Sequence, residues 1–316
     1  MSDSAELAQA TDHSRVQAFF ELTKFRISVM VLSTFAVAAI LESALLDSSL
    51  HSASTSLSWN SLVWGMIGML LVAASGNSTN MYLERYTDFL MPRTADRPLP
   101  TYRLTATEVA LFSAITLGVG LAMLLHLVNW QTALCGLLNW MLYSLVYTPL
   151  KRKHWCNTEV GAVAGAMPIL MGSLAATGSV GWVGWAFFGV LFFWQFPHFM
   201  AIAWKYRDQY RAGGLQMLTV TEPTGQAAGR KAVFTAVLLI IVSLVPALFA
   251  PSWFGAALLM IASLILGGVY LFASWQFYQT RNETTARKLM LVSLLYLPLY
   301  MTALIVGLLI DKTGML

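Results

Sequence analysis

Asn80, Glu84 and Asp88 stand four residues apart in the stretch NSTNMYLERYTDFLMPRTADRPLP, which runs from Asn77 to Pro100. On a helix that spacing places an amide and two carboxylates on one face, about a turn apart. Arg85, Arg93 and Arg97 stand beside or just after them. An oxygen-rich stripe beside guanidinium groups can hold Mg²⁺ and a diphosphate together. The carboxylates take the metal, the metal bridges phosphate oxygens, and the arginines take the remaining charge. The stretch follows an apolar run, Ser61 to Ala74, and ionisable groups at a membrane face are costly enough to mark a functional site. Ion pairing at the wet end of a helix would account for one acid and one arginine. It does not account for a spaced triplet followed by RTADRPLP.

Three further groups could serve the same chemistry. Lys151 and Arg152 follow an apolar run in YTPLKRKHWCNT, Tyr147 to Thr158, either as diphosphate ligands or as ordinary membrane-edge anchors. Lys205 and Asp208 stand three residues apart beyond a later apolar run, with Arg207 beside them, and repeat the acid-and-base character of the first motif. His198 lies inside that run, in WQFPHFMAIAW, among Trp194, Phe196, Phe199 and Trp204. It reads either as a hydrogen-bonded core residue or as a substrate or catalytic group, since an unpartnered imidazole is costly inside a membrane. Gly161, Gly165 and Gly172 near Pro168 read as close helix packing with a kink beside a cavity.

Composition sets the elements that must position these groups. Apolar residues make up 57% of the 316 and charged residues 11%, against about 25% charged in a soluble domain. The chain is therefore an all-α, polytopic membrane protein, and its net charge of +4 does not indicate nucleic acid. Nine apolar spans long enough to cross a bilayer are expected near 27–46, 61–81, 107–126, 130–149, 160–178, 182–203, 232–250, 253–275 and 289–310. In that topology all but one of the 19 basic residues fall on one side, Lys312 being the exception, so the N-terminus is expected to be cytoplasmic. Asp3, Glu6, Asp12 and Glu21 argue against a mitochondrial presequence, and no apolar segment of signal-peptide form follows Arg15. A bacterial cytoplasmic (inner) membrane is the expected location. Cys135 and Cys156 indicate neither a disulfide framework nor a metal cluster.

The second and sixth connections are the long ones and carry the chemistry. Asp88 follows span two and Asp208 follows span six, a recurrence consistent with two four-helix units and a ninth helix, whose interface would hold the site. The expected layout is a tail over residues 1–23 and a single transmembrane domain over 24–312.

The strings N-x₃-E-x₃-D, M-x-RT-x₂-RPLP, YTPLKR, NT-x-VGAVAGAMP, WQFPHF and K-x₂-DQY strongly resemble the haem O synthases. These are the protohaem IX farnesyltransferase branch of the UbiA-type superfamily of intramembrane prenyltransferases. The resemblance runs from about Lys24 to the last span and is densest over residues 77–217. It implies nine helices around a central cavity and Mg²⁺-dependent transfer of a farnesyl group from farnesyl diphosphate to a vinyl group of haem B. Water addition then gives haem O for terminal oxidases, with a haem A synthase or oxidase assembly as partner. Asn80, Glu84 and Asp88 match the first metal–diphosphate motif, Arg93, Arg97, Lys151 and Arg152 the basic positions, Lys205 and Asp208 the second motif, and His198 the histidine of the haem branch. Glu84, Asp88 and Asp208 are thereby the expected metal ligands. Glu84 stands where the wider superfamily has aspartate, and Gln209 where relatives often carry a second acid.

The implied chemistry is ionisation of an allylic diphosphate, with the metal and the bases stabilising the leaving group and an apolar bundle excluding water. Aromatic side chains such as Phe199 and Trp204 would stabilise cationic character if they face the cavity. The nearest rival is a transferase of the same superfamily acting on an aromatic quinone precursor. A transporter or lipid-binding protein would use the acidic clusters without chemistry, but leaves the Asn–Glu–Asp spacing unexplained.

Overall fold

The computed structural model describes residues 15–49 and 58–309. Residues 1–14 of the expected tail, His51 in the first connection, residue 310 at the end of the ninth span and Lys312 lie outside the described residues. Among the described residues, nine helices are long and apolar enough to cross a membrane. They are α1 (Arg15–Leu45), α2 (Trp59–Asp88), α3 (Ala106–Leu127), α4 (Trp130–Leu150), α5 (Asn157–Thr177), α6 (Trp182–Lys205), α7 (Gln226–Phe249), α8 (Trp253–Thr280) and α9 (Glu283–Leu309).

Two helices outrun their apolar stretches. α1 starts at Arg15 rather than near residue 27, and α2 continues past residue 81 to Asp88. Protein packs on one face of these extra turns. Ala18 and Leu22 of α1 pack with Met81 of α2 and with Leu99, Leu104 and Val109, so residues 15–23 are a docked helical segment. Asn77, Asn80, Glu84 and Asp88 are all buried, and their backbone keeps its helical hydrogen bonds instead of fraying into the second connection. That connection is consequently 89–105, shorter than the apolar pattern implies.

Helices adjacent in sequence pack together, and α1 closes the bundle by packing on α5 and α9 as well. One core cluster joins α1 to α5 through residues such as Phe35, Met69, Leu124 and Met171. A second joins α1, α5 and α6 to α7, α8 and α9 through Phe187, Leu239, Tyr270 and Tyr300. Leu111, Ile115 and Val119 of α3 stay exposed, as expected of a face that meets lipid.

Because lipid offers no hydrophobic gain for helix association, close contact and buried polar bonds hold the bundle. A Cβ on Gly172 of α5 would run into the Phe35 carbonyl of α1. Ser75 of α2 donates to the Ser113 carbonyl of α3 at 2.8 Å, and Trp140 Nε1 of α4 donates to Ser75 Oγ at 2.9 Å. Glu42, buried in α1, accepts the backbone N–H groups of Gly181 at 2.6 Å and Gly184 at 3.1 Å. It thereby satisfies two of the free donors that open α6.

Candidate active site

The C-terminal half of α2 carries the acidic stripe with the spacing the sequence implies. Glu84 and Asp88 are 6% and 1% exposed, too dry to remain charged without partners. The partners come from elsewhere in the chain. Lys151 Nζ, just after α4, donates to Glu84 Oε1 at 2.5 Å. Arg97 Nη1 donates to Asp88 Oδ2 at 2.6 Å and stands 4.0 Å from Glu84 Oε2. Burial works against the charge on Lys151, yet the Glu84 carboxylate outweighs it and holds the lysine above its ordinary pKa.

Turn chemistry brings Arg97 back over the end of α2. The Thr94 hydroxyl donates to the Asp88 carbonyl at 3.0 Å, and Thr94 N and Ala95 N both donate to the Met91 carbonyl. Asn80 is held from two sides. Its Nδ2 donates to Thr148 Oγ1 of α4 at 3.2 Å, and its Oδ1 accepts from Lys24 Nζ at 3.0 Å.

Lys24 is the residue that the sequence did not single out beyond its positive charge. It sits at a break in α1 with φ +48°, a left-handed conformation that costs a non-glycine residue energy and is found where surrounding structure enforces it. Asn77 Nδ2 and Ser28 Oγ donate to the Thr23 carbonyl freed by the break, at 3.0 and 2.8 Å. No glycine or proline marks this turn, so no sequence signal separates Lys24 from a membrane anchor.

The other expected basic residues divide. Arg85, one position and so about 100° round the helix from Glu84, turns away and lies over the rings of Tyr82 and Tyr86. Arg93 Nη2 donates to the Tyr210 hydroxyl at 3.2 Å and its guanidinium lies over the Tyr206 ring. It joins the second connection to the sixth rather than touching the carboxylates. Arg152 is exposed and lines a recess of about 430 Å³ with Glu84 and Thr148. Lys205 is exposed beside Tyr206. Asp208 has a side chain 74% exposed and paired with Arg211 at 3.3 Å, so the structure does not bring it against Glu84 and Asp88. Among the described residues no three acidic, histidine or cysteine side chains gather closely enough to share a metal.

Two carboxylates nevertheless suit Mg²⁺, which commonly takes one or two from protein and completes its shell with water and substrate phosphate. Asp88 Oδ1 is buried and has no hydrogen-bond partner among the described residues, an arrangement a cation would satisfy.

Beneath this cluster opens a cavity of about 500 Å³ with mostly apolar walls. It is lined by α1, α2, α4, α5, α6 and α9, among the described residues, with α3, α7 and α8 behind the wall. Tyr147, about a turn before Lys151, and Asn77, about two turns before Glu84, line it, as do His198 and Phe199 of α6. Trp204, five residues on and well round the helix, packs edge-on against Phe277 instead, so of the two aromatic residues considered from sequence Phe199 alone reaches the cavity.

Tyr143 and Tyr147 were not singled out as site residues, and α4 presents both through a widened π turn over Leu142–Tyr147. Pro149 explains the turn, because its ring crowds the carbonyl four residues back and it has no N–H to give. The two rings stack 5.5 Å apart. Gly161 makes room for them, since a Cβ there would sit 2.7 Å from the Tyr147 ring.

Paired carboxylates ringed by basic groups beside an apolar chamber are what an enzyme needs to ionise a prenyl diphosphate with little water about it. The fold recurs in solved structures. It superposes on a solved structure described as digeranylgeranylglyceryl phosphate synthase with a TM-score of 0.74, 18% identity and coverage of 93% of this chain and 98% of that one. A UbiA homolog from Archaeoglobus fulgidus bound to DMAPP and Mg²⁺ gives a TM-score of 0.63 at 16% identity, covering 90% and 98%. Those identities speak for the fold alone. Residues 43–298 match the UbiA prenyltransferase family, and the chain belongs to it. A curated relative from Rhodopirellula baltica, "Protoheme IX farnesyltransferase", is 40% identical over 88% of this chain and 95% of its own length.

Proposed function

We propose that this enzyme transfers the farnesyl group of farnesyl diphosphate to a vinyl group of haem B, with addition of water, giving haem O and diphosphate. The observation that carries the reading is a cavity lined by His198 and by Tyr147, whose ring lies 4.7 Å under Lys151 of the charge cluster, in a chain similar over most of its length to protoheme IX farnesyltransferases.

Glu84 and Asp88 would hold Mg²⁺, with Asp208 proposed as a third ligand contributed from the facing connection once substrate is bound. Bound there, the metal neutralises the diphosphate and makes it a better leaving group. Lys24, Arg97 and Lys151 bind diphosphate oxygens and stabilise the charge that grows on them as the C–O bond breaks. Arg93, Arg152 and Lys205 steer the anion to the mouth through longer-range attraction. Asn80 positions Lys24 and the Thr148 end of α4 around it. Tyr143, Tyr147 and Phe199 offer ring faces to the allylic cation, while the cavity wall keeps water from quenching it before the vinyl carbon attacks. The bacterial cytoplasmic membrane, charge cluster inward, is the proposed setting, with a haem A synthase or terminal oxidase assembly consuming the product.

The test is mass analysis of haem extracted from membranes of a haem-O-deficient bacterium expressing the chain. Hydroxyethyl-farnesyl haem that appears with the native chain and vanishes with Asp88→Asn supports the reaction and the site. Unmodified haem B alone, with the protein inserted, overturns the haem assignment in favour of an aromatic acceptor.

A further inference from the structure

His198 is held from behind by a single residue of α9. Ser293 Oγ stands 2.7 Å from His198 Nδ1 and 2.6 Å from the Met290 carbonyl oxygen. A carbonyl oxygen only accepts and a hydroxyl has one proton; with that proton given to Met290, the serine oxygen accepts from the histidine. Neutral His198 then carries its proton on Nδ1 and a free lone pair on Nε2. Among the described residues Nε2 makes no hydrogen bond and is not among the buried unpartnered atoms, and His198 lines the cavity.

The ring plane is fixed as well. It stacks on Trp194 with centroids 5.0 Å apart at 15°, and Trp194 Nε1 donates to the Ser293 main-chain carbonyl at 2.8 Å. Ser293 therefore sets both the tautomer of the imidazole and, through Trp194, its orientation. A nitrogen lone pair aimed into a cavity, with the opposite ring nitrogen donating to a fixed acceptor, is the arrangement of a metal-ligating histidine.

We infer that His198 Nε2 is the axial ligand of the iron in the porphyrin acceptor, and that Ser293 is the positioning residue that prepares it. This rests on the haem reading above. A single Fe–N bond forms and no bond to carbon changes. The iron is thereby pinned beside α6, and the macrocycle reaches from there toward the charged end of the chamber.

The experiment is titration of the purified full-length protein, in detergent, with ferrous haem B, followed by absorption and resonance Raman spectroscopy. The native chain gives an Fe–His stretching band. His198→Gly loses it and regains a ligated spectrum on adding imidazole, which shows that the variant is folded. Ser293→Ala keeps the ligand but binds haem about tenfold more weakly or worse, with a shifted Fe–His band, and Ser293→Thr restores both. A native-like band in His198→Gly, or Ser293→Ala indistinguishable from native, overturns the inference. If the native chain farnesylates haem while either occurs, only the ligation fails. If the native chain neither binds nor modifies haem, the haem reading fails and this inference falls with it.

Discussion

Lys24 and Asn80 are 56 positions apart in sequence and 3.0 Å apart in space, the ammonium of one donating to the amide oxygen of the other. This contact ties a strained break in α1 to the acidic stripe of α2, and it brings a third basic side chain to that stripe. Lys24→Met is therefore expected to weaken use of farnesyl diphosphate by about tenfold or more in kcat/KM, the scale of one lost charge-assisted contact. Lys24→Arg should recover part of it. Steady-state kinetics against farnesyl diphosphate decides the matter, and an unchanged kcat/KM in Lys24→Met would remove the residue from the site.

Glu84→Gln and Asp88→Asn keep size and hydrogen-bonding capacity while deleting the charge. Each should lower turnover by about a hundredfold or more, the usual scale for losing charge stabilisation at a reacting centre, with protein still present in the membrane. Asp208→Asn, if its side chain joins the bound metal, should raise the Mg²⁺ concentration needed for half-maximal activity. A native Mg²⁺ profile for that variant would confine the metal to the α2 pair.

Gly161 is a test of the chamber rather than of the charges. Gly161→Val places a branched side chain where the Tyr147 ring lies, and overpacking of this kind costs about 1–3 kcal/mol. Reduced turnover should accompany a lowered thermal midpoint. Tyr147→Leu in the same background relieves the clash, so the midpoint should recover while turnover does not.

Glu42 shows that a buried acid in a membrane helix is not always part of the chemistry. Its two bonds to Gly181 and Gly184 cap α6. Glu42→Ala should cost about 2–3 kcal/mol, the scale of stranding buried backbone donors, measured by thermal unfolding in detergent. The kcat of the folded enzyme should be close to native, because the residue lines neither the cavity nor the recess beside Glu84.

Much of this arrangement was legible in the chain. Apolar runs reveal the nine spans, and a four-residue period reveals the Asn80–Glu84–Asp88 face, because both follow from local helix geometry. Helix ends were less legible. α1 and α2 continue past their apolar runs where protein packs on them, as Ala18 and Leu22 do against Met81, and hydropathy does not register such distant contacts. Lys24 and Tyr143 escaped notice for a different reason. One depends on a turn without glycine or proline, the other on a widened helical turn set by Pro149, and each reaches the candidate site only through contacts made far away in sequence. Arg85 errs the other way, next to the motif in sequence yet a quarter-turn from it in space.

The charge cluster carries its own counterions. Glu84 is neutralised by Lys151 and Asp88 by Arg97, so the protein supplies its own counterions within a dry setting. A dication arriving alone would have to displace those cations, and a diphosphate arriving alone would have to displace the carboxylates. Arriving together, each takes the partner the other releases, and the exchange leaves no orphaned charge in the bilayer. A cluster balanced in this way would act as an ion exchanger that favours the metal–diphosphate pair over either component. By linkage, whatever factor the bound metal adds to the affinity for diphosphate, the bound diphosphate adds to the affinity for the metal.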